Sequence, residues 1–223
     1  FNIKKTISFF LSTNFAEVLS VFVVSLFLWR YDFLTSTQLL WVNLITDSLP
    51  VLALGVEKTS GAMERPPVSD KEIFSPRAIL SMLFFGVMLS AVVIALFVTF
   101  LHLYGNGVAT TAAFLTISLS ELLHVFNVRA EDGRGKLRDH FTNRTLLVTA
   151  AVGVALNVML VLSPALRTMF RLTPLSGVQW LWVAACSLFV LPLGAAYRLF
   201  LRRVRGMRLN RRKRCIPVRG SVR

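Results

Sequence analysis

The sequence has few of the residues on which disulfide scaffolds and phosphate-binding loops depend. Only two cysteines occur in 223 residues, Cys186 inside an apolar run and Cys215 in a basic tail, so neither a disulfide framework nor a cysteine–metal cluster can form. No GxxxxGK[ST] segment is present to hold a nucleotide phosphate. An initiator methionine and a signal-peptide cleavage site are also absent. We therefore expect a piece of a longer protein.

Apolar residues dominate what is present. The chain is 55% hydrophobic and 16% charged, and its mean hydropathy is +0.64, which is more apolar than an ordinary soluble domain. The formal net charge of +14 resembles that of a nucleic-acid-binding protein. However, the lysines and arginines lie between and after long apolar runs and not along one amphipathic face. The composition favours a membrane protein and no nucleic-acid partner.

Six apolar stretches are long enough to cross about 30 Å of hydrocarbon, which takes roughly 20 helical residues. Backbone groups in lipid must pair within their own segment, and the alternating ten-residue pattern of a membrane barrel is absent. The prediction is an all-α bundle of six transmembrane helices in a domain at residues 1–203, followed by a basic tail at 204–223. The predicted helices lie near 7–29, 39–56, 78–104, 108–128, 145–163 and 177–200.

The positive charges predict how the bundle sits in the membrane. With the N-terminus in the cytoplasm, that side carries 22 of the 25 lysines and arginines. The opposite side carries only Arg30, Arg167 and Arg171. Because cytoplasmic loops are enriched in basic residues, we expect both termini to be cytoplasmic.

Three acidic residues, Glu17, Asp47 and Glu121, fall well inside predicted spans. A charge at the centre of a bilayer costs roughly 2.5–3.5 kcal/mol on translocon scales, and no lysine or arginine occurs at similar depth. Protonation, a partner helix or a bound cation would each lower this cost.

The neighbouring residues favour a cation. Asn14 lies three residues before Glu17, while Asn43 and Thr46 precede Asp47 at helical spacing, so each group projects from one helix face. All offer oxygen, which suits a hard cation such as Ca²⁺, whereas zinc or copper would draw on histidine or cysteine. Pro50 removes a helical hydrogen bond nearby and would free a carbonyl. The candidate metal ligands are Asn14, Glu17, Asn43, Thr46, Asp47 and Glu121.

Four segments of the sequence closely resemble P-type calcium ATPases. They are LSTNFAEV at 11–18, LLWVNLITDSLPVLALGVE at 39–57, MERPP at 63–67 and SELLHVFNVR at 120–129. The resemblance implies the fifth to tenth membrane helices of a pump that exports Ca²⁺ from the cytoplasm. It also implies that Asn14 and Glu17 are fifth-helix ligands and that Asn43, Thr46 and Asp47 are sixth-helix ligands.

In the same resemblance, Glu121 matches the eighth-helix ligand of the sarcoplasmic-reticulum type, which transports two ions per cycle. Pumps of the plasma-membrane type generally have glutamine there. His124 stands where the sarcoplasmic type has asparagine. It either tunes Glu121 or hydrogen-bonds within the bundle.

The parts of such a pump that use ATP are missing. The phosphorylation motif DKTGT, the actuator motif TGES and the first four membrane helices do not occur in this sequence. We therefore expect ATP and Mg²⁺ to act only through an N-terminal half of the same pump, which is the expected partner. Alone, the chain should be inactive.

The alternatives are a pump for Mn²⁺ or another hard cation, and a non-catalytic remnant of a truncated pump. The expected location is a bacterial plasma membrane.

The basic tail generates a prediction of its own. Eleven lysines and arginines and no acidic residue occur from Arg198 to Arg223. Each such charge near an anionic membrane surface contributes about 1 kcal/mol of attraction. A tail peptide should therefore bind vesicles containing phosphatidylserine more tightly than neutral phosphatidylcholine vesicles, as measured by co-sedimentation. Equal binding to both would exclude anionic headgroups as its partner.

Overall fold

A computed structural model describes residues 2–55, 75–130 and 143–214. These residues are helical, with turns and short links and no strand, so the all-α prediction is confirmed for the described part of the chain. Within the predicted tail at 204–223, the structure describes only the helical backbone up to Arg214. The loops at 56–74 and 131–142 lie outside the described residues. The helices are α1 (Asn2–Phe27), α2 (Ser36–Trp41), a π-helical segment (Val42–Thr46), α3 (Ser48–Gly55), α4 (Pro76–Tyr104), α5 (Asn106–Ala130), α6 (Arg144–Leu162), α7 (Pro164–Met169) and α8 (Gly177–Arg214).

Six helical segments in the described residues are long and apolar enough to cross a membrane, which confirms the predicted number of spans. The second span, Ser36–Gly55, combines α2, the π-helical segment and α3. The last helix continues to Arg214, beyond the apolar stretch predicted to end near 200. Positive charge alone does not stop a helix, because arginine and lysine are good helix formers.

Polar caps set the starts of several helices. Thr35 forms a capping box with Gln38 at the start of α2, and Asn143 accepts a hydrogen bond from the backbone N–H of Leu146 in α6. Gly105 alone separates α4 from α5 and has a φ of 85°, a conformation that favours glycine. This one-residue link makes α4 and α5 antiparallel neighbours.

Helix α5 lies at the centre of the bundle. It packs against α1, the π-helical segment, α4, α6 and α8. Almost every side chain from Ala109 to Val128 is buried, including those of Thr116, Ser120 and Glu121. Since this helix faces protein and not lipid, it can carry polar residues that an outer helix could not.

Large apolar side chains cover the outside of the bundle. Phe27 in α1, Leu80 in α4 and Leu181 in α8 are each more than half exposed. Trp29 and Trp182, close to the ends of apolar spans, are likewise exposed. An exposed apolar surface of this kind suits contact with lipid.

Gly86 permits a close approach between α4 and α1. A Cβ atom at Gly86 would lie 2.5 Å from Cδ1 of Phe15 and 3.0 Å from the carbonyl oxygen of Ser12. The neighbour at Ser12 is backbone, so only a shift of one helix could make room. Small residues in membrane bundles commonly serve this purpose.

We predict that Gly86→Val destabilises the bundle by about 1–3 kcal/mol, the usual cost of overpacking. Thermal unfolding in detergent would measure the loss. Gly177→Val is the matched control, because no atom lies within 4 Å of a Cβ at Gly177. Equal melting temperatures for the two variants would contradict the prediction.

Candidate cation-binding site

The three acidic residues of the predicted site are buried in the bundle. Glu17 lies in α1, Asp47 directly follows the π-helical segment, and Glu121 lies in α5. The exposed fraction of Glu17 is 4%, and those of Asp47, Glu121 and the neighbouring Thr46 are 0%. Four of the six predicted ligands therefore lie away from the bundle surface, on three elements that pack together.

Asn43 connects α1 to the π-helical segment. Its Nδ2 donates a hydrogen bond of 2.7 Å to Oε2 of Glu17 and another of 3.0 Å to the carbonyl of Leu39. The other carboxylate oxygen of Glu17, Oε1, is buried and has no hydrogen-bond partner. Asn43 thus holds Glu17 by one oxygen and leaves the second free.

Thr13 makes the equivalent contact to Asp47. Its hydroxyl Oγ1 lies 3.0 Å from Oδ2 of Asp47, while Oδ1 is buried without a partner. Sequence reasoning did not select Thr13. It stands four residues before Glu17, a spacing that places both on one face of α1, and that signal was available.

The chain around Asp47 departs from the regular α-helix on which the predicted spacing depends. The backbone N–H of Asp47 donates to the carbonyl of Val42, five residues earlier, over 2.9 Å. Three residues later, Pro50 has no N–H to offer the carbonyl of Thr46. The π-helical segment, which is a single π-turn over Val42–Thr46, and Pro50 therefore lie on either side of Asp47. Such a break in an α-helix is frequent at functional sites. Asn43 and Thr46 both belong to the π-turn, and the Oγ1 of Thr46 has no hydrogen-bond partner.

Glu121 approaches this group from α5. It lies on the helix that packs against both α1 and the π-helical segment. In the described part of the chain, neither Oε1 nor Oε2 of Glu121 has a hydrogen-bond partner. Unpaired buried oxygens are costly. The five without a partner among the predicted ligands are Oε1 of Glu17, Oγ1 of Thr46, Oδ1 of Asp47 and both carboxylate oxygens of Glu121.

The carboxylates do not by themselves form a compact metal centre. In the described ranges, no three histidine, cysteine, aspartate or glutamate side chains converge closely enough to hold a metal ion. A cation at this place would need oxygens from threonine, asparagine or the backbone as well. Because Ca²⁺ takes six to eight oxygens, the five buried side-chain oxygens without a partner would not fill its shell by themselves.

The side chain of Asn14 hydrogen-bonds within its own helix. Its Nδ2 donates to the carbonyl of Phe10 in its own helix over 2.8 Å, and its side chain is half-buried. It therefore lies nearer to the outer surface of α1 than Glu17 does.

His124 hydrogen-bonds within the bundle, as one of its two expected roles requires. Its Nε2 lies 2.9 Å from the Oγ of Ser12 in α1, and its ring packs against those of Phe9 and Phe85. The Ser12 hydroxyl also lies 2.8 Å from two backbone carbonyls of its own helix. Which of the two groups donates in the Ser12–His124 hydrogen bond depends on the tautomer of His124. Nδ1 is buried and unpartnered.

Comparison with known proteins identifies the family. The sequence profile described as Cation transporting ATPase, C-terminus, matches residues 32–200. The chain belongs to this family. The match covers all of the described helices from α2 to α7 and the apolar part of α8. With six candidate spans, the cation-ATPase C-terminal domain is a multi-pass integral membrane protein.

Similar proteins occur in bacteria and mammals. The cation-ATPase domain is 30% identical over 216 residues to "Calcium-transporting ATPase 1" of Bacillus cereus, covering 89% of this chain and 24% of that protein. It is 30% identical over 190 residues to "Calcium-transporting ATPase" of Bacillus subtilis, covering 83% and 21%. It is also 30% identical over 216 residues to "Calcium-transporting ATPase type 2C member 2" of mouse, covering 92% and 22%. The chain thus spans about a quarter of the length of these relatives.

Proposed function

We propose that this domain is the membrane transport half of a Ca²⁺-exporting P-type ATPase and supplies the oxygens that bind Ca²⁺ inside the membrane. The observation that carries the proposal is the set of five buried oxygens on Glu17, Thr46, Asp47 and Glu121 that have no hydrogen-bond partner among the described residues. Three carboxylates buried in a nonpolar bundle need positive charge from another source. A transported cation supplies that charge.

Calcium fits the chemistry of the donors. Every proposed side-chain ligand binds through oxygen, which hard cations prefer. The bacterial and mammalian relatives are named calcium-transporting ATPases. Mn²⁺ also accepts carboxylate and carbonyl oxygens, so it is the competing ion to be tested.

The proposed cycle follows from the cost of burying charge. Glu17, Asp47 and Glu121 would bind Ca²⁺ while the site is open to the cytoplasm. After release on the far side, protons would neutralise the same carboxylates for the return step, because three bare charges in the bundle are unfavourable. The carbonyl of Thr46, which Pro50 leaves without its helical donor, would be a further ligand.

Phosphorylation by ATP with Mg²⁺ would take place in the N-terminal half of the pump. The bacterial plasma membrane is the proposed location.

Asp47→Asn in the complete pump should abolish Ca²⁺-dependent phosphorylation from ATP. The substitution keeps the size of the side chain but removes its negative charge at the centre of the site. Radioactive labelling of the phosphoenzyme at increasing Ca²⁺, with Mn²⁺ as competitor, would measure the effect. Asp32→Asn is the matched control, since Asp32 is exposed in the link before α2. Full labelling of Asp47→Asn would count against the assignment, and stronger saturation by Mn²⁺ than by Ca²⁺ would favour the competing ion.

Glu121→Gln should reduce the number of Ca²⁺ ions bound. Glu121 is the only one of the three carboxylates with both oxygens unpartnered, and its match to the eighth-helix ligand implies two ions per cycle. Counting bound ⁴⁵Ca per phosphorylation site should give about two for the unmodified pump and about one for the variant, as each ion needs its own shell of oxygens. One ion in the unmodified pump would reject the two-ion hypothesis.

A further inference from the structure

We propose that Thr13 is a positioning residue for Asp47, holding one carboxylate oxygen so that the other is available to the transported ion. This inference rests on the proposed function of the site. Thr13 is not among the six ligands expected from the sequence, and its role would be to orient a ligand and not to bind the ion itself.

The contact between Thr13 and Asp47 joins two different helical elements inside the bundle. Thr13 is fully buried in α1, and its Oγ1 lies 3.0 Å from Oδ2 of Asp47. The same hydroxyl lies 3.2 Å from the carbonyls of Phe9 and of Phe10. A hydroxyl has a single hydrogen to donate. The carboxylate is the nearest of the three acceptors, and a charged acceptor forms the stronger bond.

The side chain of Thr13 is well suited to a fixed orientation. Threonine is branched at Cβ, so few χ1 rotamers are open to it in a helix. The two carbonyls one turn earlier in α1 further restrict where Oγ1 can lie. Asp47 therefore meets a donor that is already in place before the ion arrives, and preorganised donors lower the cost of forming a site.

The two carboxylates at the contact between α1 and the second span show the same pattern. Asn43 donates to Oε2 of Glu17 and leaves Oε1 without a partner, just as Thr13 holds Oδ2 of Asp47 and leaves Oδ1. In each pair the donor and the carboxylate come from different elements. Thr13 of α1 donates to Asp47 of the second span, and Asn43 of the second span donates to Glu17 of α1. The reciprocal pairs fix α1 against the π-turn at two points, and each pair presents one free oxygen.

A simpler role for Thr13 would be to join helices without affecting the ion. Ser20 provides the comparison, because it is another buried hydroxyl on α1 whose Oγ lies 3.0 Å from a side chain of a different helix, the Oγ of Ser90 in α4. Among the described residues, the Ser20 hydroxyl hydrogen-bonds to the carbonyl of Ala16 and to Ser90 and not to a carboxylate. If only the joining of helices mattered, removing either hydroxyl would have a similar effect.

The test compares Thr13→Val, Thr13→Ser and Ser20→Ala in the complete pump. Valine keeps the shape of threonine without the hydroxyl, and serine keeps the hydroxyl. The readouts are the Ca²⁺ concentration for half-maximal phosphorylation from ATP, the maximal phosphoenzyme level, and the melting temperature of the purified pump. Asp47→Asn and the unmodified pump are measured in the same assay.

We expect Thr13→Val to raise the half-maximal Ca²⁺ concentration roughly 10- to 100-fold, the effect of losing one hydrogen bond to a charged group. Thr13→Ser should stay within about threefold of the unmodified pump, because serine retains the donor. The maximal phosphoenzyme level should not change, and Ser20→Ala should leave the Ca²⁺ dependence unaltered. Should Thr13→Val fail to accumulate, Thr13→Ala compared with Thr13→Ser gives the same test.

Three results would overturn the inference. They are an unchanged Ca²⁺ dependence in Thr13→Val, an equal shift in Ser20→Ala, and a shift that serine does not reverse. Failure of the proposed function would look different, since the unmodified pump would show no Ca²⁺-dependent phosphorylation, or Asp47→Asn would retain it.

Discussion

The structure depends on the burial of three carboxylates in an apolar bundle. Glu17, Asp47 and Glu121 lie where water cannot solvate them, and their oxygens find few donors among the surrounding side chains. Partnerless charges of this kind oppose folding, so a protein keeps them only where another interaction offsets the cost. The proposed transport of a cation gives that interaction and explains why the oxygens remain open.

The rest of the fold makes such an interior possible. Helix α5 can carry Glu121, His124 and several hydroxyls because five other elements shield it from lipid. The π-turn and Pro50 interrupt the second span beside Asp47, and backbone that departs from an α-helix is tolerated in a membrane only when protein or a cavity surrounds it. Polar groups and irregular backbone therefore occur together at one place.

The described residues would supply only part of the coordination shell of the proposed Ca²⁺ ion. Five side-chain oxygens are open, and no three acidic or histidine groups converge on one point in the described part of the chain. Ca²⁺ requires more oxygens than these, and the chain spans about a quarter of the length of its relatives. In the proposed pump the backbone near Pro50 and the N-terminal half would supply the remaining ligands. Movements of that half would then alter the site directly.

Much of this arrangement follows from the sequence alone. Long apolar runs predicted the six spans, because the thickness of the bilayer fixes the length of a helix that crosses it. Acidic residues inside those runs identified Glu17, Asp47 and Glu121, since a charge in lipid requires a reason. Oxygen-bearing neighbours at helical spacing added Asn43 and Thr46.

Only the tertiary structure determined how these residues contact one another. Periodicity assumes a regular helix, so it missed the π-turn that changes the facing of Asn43, Thr46 and Asp47. It placed Thr13 on the same helix face as Glu17 but could not show that the Thr13 hydroxyl meets Asp47, and it did not separate half-buried Asn14 from buried Glu17. A residue's position along its own helix sets the face on which it lies, whereas the packing of other helices decides which donor reaches which oxygen.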